Sequence, residues 1–464
     1  MDTIIQDFSE NVSGKLEEFL KEIILRSDKD ISELVEILKE ELDKLGIKLC
    51  KWVIETADEV IKESSKRKKE WVVEQNDNPK TLMTKFGEVK YERTYYKSKG
   101  DKGYSHLVDD KLGISPHQRM DSSLEAKLVD LAAKTSYAKS GKEAVDNLKI
   151  SDQTVMNKIR KLKRIENDIL NEVEEKREVK CLYIEADEDH VSLQNGNKSV
   201  PKLVYVHEGI EELGDRNKLK NKYYFSGVYK ESEELWLEVL DYIEANYELD
   251  KLEKIFIAGD GASWIKKGLR WLPKSKYILD RYHLNKYVLQ ATGHVEEMRF
   301  ELWAGINDLD KEAISETFSE ILANTEKESK EKSVRRSRSY IYRNWEGIKN
   351  YYRDEDALGC SAEGHISHVL ADRLSSRPRG WCDLGVDQMA RLRAFKHNGG
   401  NKDKLQELIL NNKRKNKKEE VLAKLEAKIT TSKLKKKFGE PKENVPAIKR
   451  GKRTGLFHAL KALA

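Results

Sequence analysis

Three acidic residues between positions 187 and 363 have the types and spacing to hold divalent cations. Asp187 lies in CLYIEADEDHV, Asp260 in IFIAGDGASW and Glu363 in GCSAEGHISHVL. The first two each close a β-branched, apolar run that reads as a buried strand, and the third stands where a helix can begin. Two carboxylates at strand ends plus one on a helix can hold a pair of divalent metals about 4 Å apart, which serves phosphodiester chemistry. The residues therefore point first to an enzyme that cuts nucleic acid, with Mg²⁺ as the metal and Mn²⁺ as its substitute.

Each position has competitors. Glu185, Asp187 and Asp189 are two apart and share one strand face; Asp187 is favoured because it directly follows the apolar run, and Asp189 comes next. Asp260 is flanked by Gly259 and Gly261, which leave room for metal and substrate backbone, although an Asp there can also N-cap the following helix. Glu363 is followed by His365, His368, Arg373, Arg377, Arg379 and Trp381, a basic face suited to gripping a phosphate backbone. The helix macrodipole alone also favours a Glu at that place, and Glu355 and Asp372 are nearby alternatives. Arg373 and Arg377 are expected to neutralise phosphate charge. Asp280-Arg-Tyr-His283 is a weak motif by itself, since a helix N-cap produces the same pattern.

The elements that must position these residues read as an α/β core over 178–400. Strands are expected over 180–187, 201–209 and 221–229, followed by an amphipathic helix carrying Leu235, Trp236, Val239, Leu240 and Ile243. EKIFIAGDG reads as a fourth strand, WIKKGLRWL as a short helix and SKYILD as a fifth strand. This β-β-β-α-β-α-β order is that of the RNase H-like fold, whose first and fourth strands are neighbours and would bring Asp187 and Asp260 together. Residues 284–355 are charged and lack strand signals, so a helical insertion is expected there.

Upstream, residues 1–75 read as amphipathic helices with a polar break at Ser64 to Lys69, and 76–121 as a small β-rich unit around TKFGEVKYERTYY. Residues 122–170 have the pattern of a helix-turn-helix. Ser151 is a good N-cap for a helix over 152–163, on which Val155, Ile159 and Leu162 share one stripe. Gln153, Thr154, Asn157, Lys158 and Lys161 are left facing outward, where such side chains can contact base edges and phosphates. Any three-helix bundle can show that pattern.

Composition narrows the class. The chain has 464 residues, 38% of them apolar and 36% charged, enough for two or three domains and a sizeable core. Lys and Glu dominate the charge, as in heat-stable proteins or AT-rich genomes. No run approaches the roughly 18 apolar residues of a membrane span, and the acidic N-terminus does not resemble a signal peptide. A cytoplasmic, nucleoid-associated protein with no membrane partner is expected. Cys50, Cys181, Cys360 and Cys382 form no CxxC pair, which excludes a zinc ribbon and a disulfide framework; they read as reduced thiols, with Cys181 in the core. Residues 401–464 carry 19 Lys/Arg and 7 Asp/Glu, a net +12, which leaves −7 for residues 1–400 of a chain of net +5. A basic tail on an acidic body suggests a nucleic-acid contact, because Lys and Arg displace condensed counterions from phosphates; a solvated tail has the same composition.

Together these residues resemble a known family. The chain is similar to bacterial insertion-sequence transposases of the ISLre group, whose members are often known only as an uncharacterised protein family, and at greater distance to Mutator-like DDE transposases. YIEADEDHV, IFIAGDGASWI, LDRYHLNKY and SAEGHISHVLADRLSSRPRGW carry the likeness, which runs over most of the chain. The resemblance implies that the family's catalytic carboxylates fall on Asp187, Asp260 and Glu363. In Mutator-like enzymes a C/DxxH element sits between the second Asp and the Glu, as Asp280 and His283 do here.

It further implies Mg²⁺-dependent nicking at the element's ends, attack of the freed 3′-hydroxyl on target DNA, and His283 orienting the scissile phosphate or stabilising the leaving oxygen. The partners would be double-stranded DNA, as terminal inverted repeats and target, and further copies of the chain in a homodimer or larger assembly. Two rivals remain at this point: a DNA-binding protein that has lost catalysis, and a plain nuclease of the same fold.

Overall fold

Five apolar runs between residues 181 and 279 make one mixed sheet in the computed structural model, which describes residues 1–25, 30–100, 103–162, 164–171, 175–213, 216–376, 380–415, 419 and 423. The strands are β1 (Cys181–Glu188), β2 (Lys202–His207), β3 (Tyr223–Gly227), β4 (Lys254–Gly259) and β5 (Ser275–Leu279), in the order β3-β2-β1-β4-β5. β2 runs antiparallel to both β1 and β3. The helix Ser232–Asn246 then carries the chain across the sheet, so that β4 lies parallel to β1 and β5 parallel to β4. Parallel neighbours need such a crossover, whereas antiparallel ones can be joined directly.

Both faces of the sheet are covered, which is why its strands read as nearly continuous apolar runs. On one face Ile184, Ala186, Val204, Val206 and Ile257 pack with Trp236, Val239 and Ile243 of the crossover helix and with helices from the 281–353 region. On the other face Leu203, Tyr205 and Tyr224 share a cluster with Leu124, Leu128, Val155, Ile159, Ile366, Leu370, Val386 and Met389. The helices Ser122–Lys134, Tyr137–Glu143 and Asp152–Lys161 are therefore built into the same apolar core as the sheet. The 122–170 stretch, read from sequence as a module of its own, gains its stability from that shared burial.

The five helices from Arg281–Thr292 to Trp345–Arg353 follow one another with no strand among the described residues between them. Two short hairpins, Val191–Ser192 with Lys198–Ser199 and Ile210–Leu213 with Arg216–Leu219, were not legible in the sequence. Cys50, Cys181, Cys360 and Cys382 are free and half-buried. Cys181 thus sits at the edge of the core and not inside it. Among the described residues no helix is long and apolar enough to cross a membrane.

The N-terminal region departs from the sequence reading. Ser64 caps a helix, Ser65–Glu70, where a polar break was expected. The next residues, Trp71–Thr84, form the first arm of a hairpin whose second arm is Gly87–Ser98. Most of the first arm's outward positions and its centre are exposed, so alternation is weak; its start, Trp71–Gln75, falls in the stretch read as helical, and the rest in the stretch read as β-rich. The hairpin is held to helix Ile31–Glu63 by buried Asp58, whose Oδ2 accepts from Thr94 N at 2.8 Å and Thr94 Oγ1 at 2.6 Å.

Trp236 anchors the crossover helix. It is fully buried, and its indole N–H donates to Trp264 O at 2.9 Å. Trp236→Ala is expected to lower folding stability by about 3–5 kcal/mol, read as a fall in the midpoint of urea unfolding.

Candidate active site

The site begins with strand register. Ala258 of β4 lies level with Glu185 of β1, and Gly259 lies level with Leu279 of β5. Continuing both registers places Asp260 beside Asp187 and Asp280 beside Asp260, at the ends of three parallel neighbours. The ladder does continue, since Asp280 N donates to Gly259 O at 2.9 Å.

Asp187 is 9% exposed, and its Oδ1 accepts from Glu188 N at 2.8 Å. Burial first, then the negative charges of Asp260 and Glu363, push its pKa up to about 7, against the pull of that amide and of His283. Asp260, His283 and Glu363 therefore lie within electrostatic reach of Asp187. Asp260 Oδ1 accepts from Ala262 N at 2.8 Å, tying the turn into helix Ser263–Lys266.

Asp280 has two roles. It caps helix Arg281–Thr292 by accepting from Tyr282 N at 3.0 Å, and its other oxygen meets His283 Nδ1 at 2.8 Å. That hydrogen bond, followed by the charges of Asp280, Asp187 and Asp260, raises the His283 pKa despite burial. Glu363 is exposed in the first turn of helix Ala362–Ile366.

The oxygen-rich donor set suits a hard cation such as Mg²⁺. A cation would also offset the burial and the repulsion that together raise Asp187. Among the described residues, however, no group of three His, Cys, Asp or Glu side chains is arranged to hold an ion as it stands.

The competitors of Asp187 separate by their surroundings. Glu185 is 2% exposed and fully engaged by Tyr205, His207 and Ser361. Asp189 is 8% exposed and lies beside Ser375, with burial raising its pKa.

The glycines around Asp260 were expected to make room for ligand. Instead they make room for protein. A Cβ on Gly259 would stand 2.7 Å from Ala186 O and 2.6 Å from Ile265 Cδ1, and one on Gly261, at φ +94°, 2.4 Å from Asn344 Oδ1. Sequence reading also missed three residues that brace Asp260. Tyr340 Oη donates to Asp260 O, and its ring stacks on Tyr287 with centroids 3.7 Å apart. Lys266 Nζ donates to Asn344 Oδ1 at 2.7 Å, and its charge is felt by Asp260. Tyr340 and Asn344 come from far along the chain and left no local signal; Lys266 was findable as the cation six residues after Asp260.

The expected DNA contacts divide. Gln153 is exposed, with its amide 3.4 Å from Asn157 Oδ1. Thr154, Asn157, Lys158 and Lys161 line the wall of a groove of about 660 Å³, opposite His117, Arg119 and Lys413. Lys158 lines that groove and also meets a buried partner. Its Nζ lies 2.9 Å from Glu125, a buried carboxylate on helix Ser122–Lys134.

Arg373 is the clearest correction. It is 3% exposed, its Nε donates to Ala132 O at 2.9 Å, and its guanidinium lies over the rings of Tyr137 and Trp381. It joins packed elements and is not placed to neutralise phosphate. Arg377 and Arg379 lie outside the described residues, as does most of the basic tail beyond 415.

These features define a mixed α/β protein with a cluster of carboxylates and one imidazole at the ends of parallel strands. The chain belongs to the uncharacterised protein family UPF0236, whose family model matches residues 26–408. A UPF0236 protein of Caldanaerobacter subterraneus subsp. tengcongensis, named under eleven locus designations of one strain, is 46% identical over 95% of this chain and 93% of its own. A UPF0236 protein from the vanSb 3′ region of Streptococcus gallolyticus is 28% identical over 68% of this chain and 72% of its own. Among solved structures, the Drosophila P element transposase strand transfer complex matches with a TM-score of 0.24 and 9% identity, over 63% of this chain and 82% of that one. A likeness at that level carries nothing about what this chain does.

Two outcomes are expected. Gly259→Ala should cost about 1–3 kcal/mol of folding stability by overpacking against Ala186 O and Ile265, measured by urea unfolding. Asp187 binds its proton more tightly folded, near pH 7, than unfolded, near the usual 3.8. Its contribution to stability therefore falls as pH rises between those values, by up to about 1.4 kcal/mol per pH unit in metal-free buffer. Asp187→Asn should flatten that slope, so unfolding midpoints of both proteins at pH 5 and pH 8 measure it.

Proposed function

We propose that this chain is a DDE-type transposase with an RNase H-like catalytic core, performing metal-dependent DNA strand cleavage and strand transfer at the ends of an insertion sequence. One observation carries the reading: Asp187 and Asp260 come level at the ends of adjacent parallel strands, with His283 and Glu363 within electrostatic reach. The strand order β3-β2-β1-β4-β5, with β2 alone reversed, agrees with an RNase H-like core. The eleven locus designations of one relative in a single strain are also what an element that copies or moves itself would leave.

On this reading Asp187, Asp260 and Glu363 hold Mg²⁺, or Mn²⁺ in its place, and the bound metal supplies charge stabilisation at the reacting phosphate and activation of the attacking oxygen. His283, held by Asp280, presents its other ring nitrogen to a phosphate oxygen or the leaving oxygen. Lys266 adds positive charge beside Asp260. Tyr340, reaching in from helix Glu328–Arg343, fixes the backbone at Asp260 and so couples the helical insertion to the site. The groove between helix Asp152–Lys161 and the 115–120 segment is the best-placed surface for a DNA end. Handling two ends at once requires a dimer or larger assembly.

The test is cleavage and joining, with Mg²⁺, on DNA carrying the gene's own flanking ends. Wild type should nick the ends and join the freed 3′-hydroxyl to target DNA. Asp260→Asn should lower both steps by on the order of 10²-fold or more while DNA binding stays unchanged. Cleavage without joining would mark a plain nuclease, and binding without cleavage a DNA-binding protein that has lost catalysis.

A further inference from the structure

Glu185 is a buried carboxylate that the proposed chemistry does not use. It sits on β1 two residues before Asp187 and directly opposite Tyr205 of β2, with Tyr183 opposite His207. Tyr205 Oη donates to Glu185 Oε2 at 2.5 Å, and Ser361 Oγ to the same oxygen at 3.0 Å; His207 Nε2 lies 3.1 Å from Oε1. His207 Nδ1 lies 3.2 Å from Gly209 N and 3.3 Å from Gly209 O, so the backbone at Gly209 orients the ring with Nε2 toward Glu185. Ser361 also donates its backbone N–H to Glu185 Oε2. Tyr205 and His207 of β2 and the hydroxyl and backbone N–H of Ser361 thus give this carboxylate four donors, with the Cys360 thiol also facing it.

Ser361 is the N-cap position of helix Ala362–Ile366, and Glu363 is two residues further on. The side chain of Ser361 makes no capping bond to that helix; it turns back to the sheet. The far end of the same helical turn is pinned by His365. That ring stacks on Tyr205 with centroids 4.4 Å apart, and its Nδ1 meets Tyr224 Oη at 2.6 Å. Helix Ala362–Ile366 runs on without a break through a π-helical stretch, Ser367–Ala371, to Leu374, so the contacts with Glu185 act on its first turn, where backbone N–H groups lack intrahelical acceptors.

We infer that Glu185 is a positioning residue: through Ser361 it clamps the start of helix Ala362–Ile366 to β1 and so sets where Glu363 stands relative to Asp187. Its bearing on metal binding rests on the proposed transposase reading; the clamp itself does not. A charged acceptor suits this place because four donors converge on it from two directions. Glutamine has the same shape but must turn an N–H₂ toward one of those donors.

The experiment uses the full chain and two variants, Glu185→Gln and Ser361→Ala, the second removing one hydroxyl at the helix start. Amide hydrogen exchange without metal is the first readout, and binding of Mn²⁺ alone, by enhancement of water proton relaxation, the second. Glu185→Gln should speed exchange at residues 362–366 about tenfold while amides of β1 and β4 keep their protection. Its half-saturating Mn²⁺ concentration should rise about 10-fold or more, as when a group orienting a ligand is removed. Ser361→Ala should show the same local pattern more weakly.

Unchanged exchange at 362–366 in both variants overturns the clamp, and so does faster exchange spread evenly over the sheet in Ser361→Ala. If Glu185→Gln fails to fold, Ser361→Ala decides the question alone. If the exchange pattern appears but wild type binds no Mn²⁺ and cuts no DNA, the clamp stands and the transposase reading fails.

Discussion

The parallel pairing of β1 with β4 is the constraint on which the rest depends. It brings two carboxylates, Asp187 and Asp260, to the same level at one end of the sheet. Like charges brought together in a buried place are unfavourable, and burial first, then those charges, raises the proton affinity of Asp187. A protein keeps such an arrangement only if the surrounding structure over-determines it. Here the support comes from both sheet faces and from close backbone approach. Gly259 admits Ala186 O, Gly261 admits Asn344, and Tyr340 holds the Asp260 carbonyl.

The two faces do this differently. The crossover helix covers one face with apolar packing around Trp236. The other face carries a polar cluster of Glu185, Tyr205, His207, Tyr224 and His365 next to the apolar contacts of helices Ser122–Lys134 and Asp383–His397. Apolar packing would hold the 362–366 turn against the sheet without fixing its register. Directional hydrogen bonds to a buried carboxylate add that register. Arg373 and Arg393 extend the same theme, with buried guanidiniums donating to Ala132 O, Ala133 O and Val369 O and knitting the helices together. Arg373, which looks like a phosphate ligand in a linear reading, is thus an internal brace.

What could be read from the chain depended on the range of the interaction responsible. The five core strands were legible because burial on both faces leaves a continuous apolar run, and their order followed from where a helix intervenes. Asp187, Asp260 and the Asp280–His283 pair were legible for a related reason: each sits where an apolar run ends. The hairpin arm Trp71–Thr84 was not, because exposed polar residues break its alternation. Arg373 was misjudged because no periodicity tells whether a long cation meets solvent or a buried partner.

The sequence by itself determined the strands, the acidic residues that end them and the helical stretch between the second and third carboxylates, since local periodicity and apolar runs encode these. Only the tertiary structure decided that Glu185 clamps and Asp187 faces the site, that the flanking glycines serve packing, and that the helices of 122–161 belong to the main core. Those outcomes turn on contacts between residues tens to hundreds of positions apart. Which carboxylate meets donors, and which meets another charge, is set only when the strands are laid side by side.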